Sequence, residues 1–71
     1  LFSEEDGMAH YRRILADAPR LLQPGGWLVL ELAHDSAERL APMLGSSWHD
    51  MEWIPDLVGH VRVLAARWQP A

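Results

Sequence analysis

Seventy-one residues make at most one small domain, marginal in the apolar surface it can bury. There is no cysteine, so neither a disulfide nor a thiolate metal site can compensate, and a 49% hydrophobic content excludes a disordered chain. The net charge is -4 and the six basic residues are scattered arginines, which argues against nucleic-acid binding, because phosphate neutralisation needs a concentrated positive face.

No apolar run approaches the roughly 20 residues of a membrane helix, and no signal-peptide pattern opens the chain. The expected location is cytoplasmic. Leu1 in place of a methionine points to an excised piece of something longer. Four tryptophans imply a generous core or apolar surface that expects a partner.

In chain order, Ser3-Glu4-Glu5-Asp6 is a helix start, with Ser3 or Asp6 as cap and acids near the positive end of the helix dipole. Met8, Tyr11, Ile14, Leu15, Ala18, Leu21 and Leu22 then recur at helical spacing, with Arg12, Arg13, Asp17 and Arg20 opposite. Pro19 predicts a kink or a restart, for which Asp17 offers a local cap. Pro24 cannot continue the helix, and Gly25-Gly26 can take the positive φ angles of a helix stop and sharp turn.

Trp27 to Ala33 is a near-continuous apolar run broken only by Glu31, which suits a parallel strand covered on both faces. A helix feeding a buried strand is half of a βαβ unit and predicts an open α/β sheet. Asp35 and Glu38 form a capping-box-like start for a second helix, whose apolar face is Ala37, Leu40, Ala41 and Leu44. Pro42 should kink or shorten that helix, and Gly45 should stop it. Trp48 to Ile54 alternates as a strand, with His49, Met51 and Trp53 on one side and Asp50, Glu52 and Ile54 on the other. Pro55 to Gly59 is a turn, and His60 to Trp68 a strand rich in residues that suit a pleat. The short connection predicts an antiparallel hairpin, followed by the tail Gln69-Pro70-Ala71.

Candidate chemistry is sparse. His10, His34, His49 and His60 form no HxxxH or HxxE pair and have no cysteine beside them, so no metal site is expected. His34-Asp35 sits at the C-terminal end of the central strand, where ligands of open α/β sheets bind; the plainer reading is a loop histidine beside a helix cap. Glu31 reads either as a strand-end acid near a pocket or, more plainly, as a strand residue that is paired with an arginine or reaches the sheet rim. There is no GxGxxG, no P-loop and no GxSxG serine, so the chain holds no complete active site of its own.

Leu22-Gln23-Pro24-Gly25-Gly26-Trp27-Leu28 resembles the L-x-P-G-G-x-L segment before the fifth strand of class I S-adenosylmethionine-dependent methyltransferases. Three flanking segments are more specific. Glu5-Asp6-Gly7-Met8 followed by Tyr11-Arg12-Arg13, the strand end Leu30-Glu31-Leu32-Ala33-His34-Asp35, and Asp56-Leu57-Val58-Gly59-His60-Val61-Arg62-Val63 resemble, in order and spacing, segments of HemK-type protein-(glutamine-N5) methyltransferases. Ala33 stands where that family usually has glycine, and Pro42 breaks a helix that is usually unbroken. The family's cofactor loop and Asn-Pro-Pro-Tyr motif lie upstream of the matched segments, so no catalytic, cofactor-binding or metal residue is carried onto residues 1–71.

The resemblance implies an α/β fold: the C-terminal half of a Rossmann-like class I methyltransferase sheet, with two helices and three strands, the last two an antiparallel hairpin. The last strand should lie between the other two and antiparallel to both, leaving the Trp27 strand at a raw edge and one sheet face under-covered. Residues 1–71 would be a C-terminal fragment of a catalytic domain that uses S-adenosylmethionine to methylate the Gly-Gly-Gln glutamine of peptide-chain release factors. The fragment would be inactive alone, with Asp6, Gly7 and Glu31 to His34 as the nearest candidates for pocket walls. An unpaired edge recruits partners, so the fragment is expected to self-associate or to be marginally stable. Two other readings are a stand-alone interaction module working through that edge, and a class I methyltransferase acting on RNA or a small molecule.

Overall fold

A computed structural model describes residues 7–70. The expected Ser3 or Asp6 cap, and Asp6 as a pocket wall, fall outside them. The first helix, α1, runs Ala9–Leu21 without a restart, and Pro19 sits inside it. Asp17 does not cap; its carboxylate accepts from Arg20 at 2.6 Å on the exposed side. Met8, Tyr11 and Ala18 are buried as the helical spacing predicts, but Leu21 is 77% exposed, because the helix ends as it leaves the sheet. At the following turn Gly25 takes φ +87° and Gly26 N–H donates to the Gln23 carbonyl at 2.8 Å. A Cβ on Gly26 would meet that same carbonyl oxygen at 3.0 Å, so both glycines serve the turn.

Strand β1 is Trp27–Glu31, two residues shorter than expected. The second helix, α2, is Ser36–Leu40 and passes into a 3-10 turn at Ala41–Met43, shortened where Pro42 enters, as predicted. The capping-box expectation fails: Asp35 is left-handed at φ +64° and its side chain makes no cap bond. Strands β2 (Trp48–Pro55) and β3 (Val61–Trp68) form the expected antiparallel hairpin. The sheet order is β1-β3-β2, and every pairing is antiparallel. The last strand therefore lies between the other two.

The register fixes which side chains share a face. Leu30 pairs with Leu64 and Leu28 with Ala66, while Trp53 pairs with Leu64 and Trp48 with Trp68 from the other side. This face carries the core: Leu30, Leu64, Ala66 and Trp48 are buried with Tyr11, Ala18 and Leu40 from the helices. The Trp48 and Trp68 rings meet at 5.0 Å. The opposite face holds Trp27, Val29 and Glu31 beside Val63, Ala65, Arg67, Glu52 and Ile54. Trp27 is 46% exposed and Val29 63%.

The expectation that both faces of the central strand are covered is thus corrected. All the described helices lie on one side, and β1 alternates exposed and covered residues. The alternation read over Trp48–Ile54 is also broken: the register shifts between His49 and Glu52, with Asp50 at φ +52°, so Trp48 and Trp53 share the core face despite their odd separation.

Candidate functional site

The C-terminal end of β1 meets the turn between β2 and β3, and five polar residues, His34, Asp35, Glu38, His60 and Arg62, line a groove there. Two contacts hold the strand end in place. Leu32 N–H donates to the Arg62 carbonyl at 2.7 Å, and Ala33 N–H donates to the Tyr11 hydroxyl at 2.9 Å. Tyr11 thereby ties α1 to the exit of the sheet. The left-handed Asp35 then reverses the chain, Ser36 N–H donates to the Ala33 carbonyl at 3.1 Å, and α2 begins.

The opposite wall is built by Asp56. One of its oxygens accepts the N–H groups of Val58 and His60, each at 3.0 Å, and the other accepts Arg62 Nε at 2.9 Å. Asp56 N–H donates to the His60 carbonyl at 2.8 Å, and Gly59 closes the turn at φ +94°. The side-chain bond from Arg62, helped by the two backbone N–H groups, holds the Asp56 carboxyl below its ordinary range against a smaller opposing effect of desolvation. One carboxylate thus fixes the turn, aims Arg62 and presents His60.

Between the two walls lies an open groove of about 200 Å³, lined chiefly by His34, Asp35, Glu38, His60 and Arg62. The His34 and His60 rings meet edge to face at 5.6 Å, and His34 Nε2 lies 3.2 Å from Asp35 Oδ2. Two imidazoles, a guanidinium and two carboxylates can hydrogen-bond a polar ligand there. Chemistry on a bond is another matter: among the described residues no nucleophile is hydrogen-bonded to a base. Nor does any group of three or more His, Cys, Asp or Glu converge as a metal site.

The sequence-derived candidates divide. His34 and Asp35 do line the groove. Glu31 is exposed at the strand end on the bare face, not buried, and Gly7 is exposed with open space around it. Sequence reasoning named Tyr11, His60 and Arg62 only within the segments of resemblance and gave them no place in the site, which they reach through the hairpin and the helix–sheet packing. An acceptor followed by a glycine and an arginine, as in Asp56, Gly59 and Arg62, was the available signal for the turn.

The groove does not fit S-adenosylmethionine. It is smaller than the 300–1,000 Å³ usual for ligands of that size, it is open, and no turn among the described residues offers a cradle of main-chain N–H groups toward it.

The fold and groove define the end of an antiparallel α/β sheet with an open groove of mixed polar and apolar lining where the strands stop. Comparison with known proteins is more specific. The chain is 40% identical to the release factor glutamine methyltransferase of Deinococcus radiodurans over 94% of its own length and 24% of the relative's. It is 35% identical to that of Salmonella typhimurium over 99% of its length and 26% of the relative's. A bifunctional methyltransferase of Rickettsia felis matches at 38% identity over 90% of the chain and 12% of the relative. The chain therefore spans between 12% and 26% of the length of these relatives. No protein-family model matches the chain. No solved structure matches it. By sequence the chain is similar to release factor glutamine methyltransferases over a portion of their length.

Proposed function

We propose that residues 1–71 are the C-terminal part of the catalytic domain of a cytoplasmic, S-adenosylmethionine-dependent methyltransferase. In this reading the whole enzyme transfers the methyl group to the side-chain amide nitrogen of the glutamine in the Gly-Gly-Gln motif of a peptide-chain release factor. The similarity to release factor glutamine methyltransferases over nearly the whole chain carries the proposal. The strand order supports it, since β3 lies between β1 and β2 and antiparallel to both, as the second half of a Rossmann-like methyltransferase sheet requires. The bare sheet face and the free side of β1 are then where the rest of that sheet and its helices belong.

This portion closes the sheet; it does not hold the cofactor. Its groove lies where open α/β sheets bind ligands, so it forms an outer wall of the substrate side. The chain alone is inactive, because the groove cannot hold S-adenosylmethionine and no catalytic pair is present. Calorimetric titration of S-adenosylmethionine into the 71-residue chain and into the longer protein this reading requires tests it. Binding by the longer protein alone, followed by labelled methyl transfer to a release factor, supports the reading. Binding by the 71-residue chain itself would sink it. A second reading is an interaction module working through a sheet edge: no other described strand pairs with the outer side of β1.

A further inference from the structure

The groove at the end of the sheet is built wholly from residues of this chain. His34, Asp35 and Glu38 line it from the exit of β1 and from α2, and His60 and Arg62 from the approach to β3 and its start. None of its lining residues lies on β1, whose free side and bare face the rest of the domain would cover.

Both walls are fixed from behind. Just before His34, the Tyr11 hydroxyl accepts the Ala33 N–H at 2.9 Å. Across the groove, the Asp56 carboxylate accepts the His60 N–H at 3.0 Å and Arg62 Nε at 2.9 Å. The side chains that face the groove bond little else. His34 and Asp35 meet each other at 3.2 Å and are 67% and 74% exposed. Among the described residues Glu38 has no hydrogen bond or ion pair, and Arg62 is bonded only through Nε. A fixed frame that carries available polar groups is ordered before a ligand arrives, which lowers the entropy cost of binding.

The lining decides the kind of ligand. It offers donors in Arg62 and the imidazoles and acceptors in Asp35 and Glu38, together with the apolar Ala37 and Val61. Asp35 and Glu38 oppose an anion, and Arg62 opposes a cation. The groove is open rather than enclosed, so it cannot wrap a compact small molecule. A neutral, extended polypeptide meets all of these conditions, since its main chain presents N–H and C=O in turn and its side chains can leave through the open side.

We propose that this groove is a subsite for the protein substrate, holding an uncharged main-chain segment that flanks the residue to be modified. Arg62 donates to a carbonyl of that segment, and Asp35 accepts one of its N–H groups. The inference rests on the methyltransferase reading and adds to it a contact on the substrate side. These are binding residues: the groove fixes where the substrate lies and leaves methyl transfer to the rest of the domain.

Steady-state kinetics of the longer protein that this reading requires test it, with a whole release factor and with synthetic peptides carrying the target glutamine and progressively shorter flanks. His34→Ala combined with Asp35→Gly alters two exposed side chains, and glycine keeps the left-handed backbone at position 35. The KM for the release factor should rise about tenfold, as the loss of one or two hydrogen bonds predicts, with kcat and S-adenosylmethionine affinity unchanged. Shortening the flank should cost the wild type the same factor and the variant almost nothing. Arg20→Gln, exposed near the end of α1 far from Tyr11, should change neither constant. If the double variant no longer binds S-adenosylmethionine, Glu38→Ala takes its place and should raise the same KM. An unchanged KM in these groove variants, or losses from variant and shortened flank that simply add, overturns the subsite while methylation persists. A wild-type protein that methylates no release factor ends the methyltransferase reading itself, and the subsite with it.

Discussion

The Tyr11 hydroxyl is spent on main chain rather than on solvent. By accepting the Ala33 N–H it satisfies a partly buried donor and joins α1 to the sheet exit. Tyr11→Phe should therefore cost about 1–3 kcal/mol, the range for stranding one buried donor, read as a lowered chemical-denaturation midpoint. Asp56 acts through charge as well as geometry. Its carboxyl titrates below the ordinary value of about 3.9 when folded, because Arg62 donates to it, and near that value when unfolded. Its contribution is complete above the unfolded value and is lost as the pH falls through the lower, folded one. Asp56→Asn should lower stability at neutral pH and flatten the acid limb of melting temperature against pH. The Val58 and His60 amides should exchange faster in that variant. The sequence marked Asp56 only as part of a turn, since three donors arriving at one carboxylate depend on how the hairpin closes. The burial expected for Glu31 and the capping role expected for Asp35 failed for the same kind of reason, although Asp35 does line the groove. A carboxylate on an edge strand needs no burial, and a left-handed Asp35 cannot offer the extended backbone of a cap.

At the level of elements the sequence was a good guide to existence and a poorer one to coverage. The helix spacing from Met8 to Ala18, the Pro24-Gly25-Gly26 turn, the shortening at Pro42 and the β2–β3 hairpin were all legible, because each follows from a local rule of period, φ angle or missing N–H. The apolar run from Trp27 was read as buried on both faces. An apolar residue records what a face is suited to touch, not what lies on it within the same chain. The bulge at Asp50 was invisible because it comes from pairing with β3, not from the local pattern. Gly59 gives an element-scale test. At φ +94° any side chain is strained, though nothing crowds the position, so Gly59→Ala should destabilise the hairpin by about 1–2 kcal/mol through backbone strain alone. Asn, which tolerates positive φ better, should recover part of that loss in the same thermal melts.

For the whole molecule the decisive quantity is how little surrounds the core. Leu40 and Leu64 are its two largest fully buried side chains. Leu64→Ala should cost roughly 2–5 kcal/mol, comparable with all the stability a domain this small commands. Circular dichroism of that variant should show a largely unfolded chain at room temperature, whereas Val63→Ala on the bare face should melt close to the wild type.

The strand order also has a consequence in time. β2 and β3 adjoin in sequence and can zip together early, while β1 must find β3 across the whole of α2 and β2, at the cost of closing a long loop. The hairpin is then the nucleus and β1 the late arrival, the strand whose removal should speed unfolding while barely slowing folding. Its half-life on the sheet, more than any equilibrium constant, sets how long a newly made chain offers an unclaimed groove along β3 to whichever strand reaches it first.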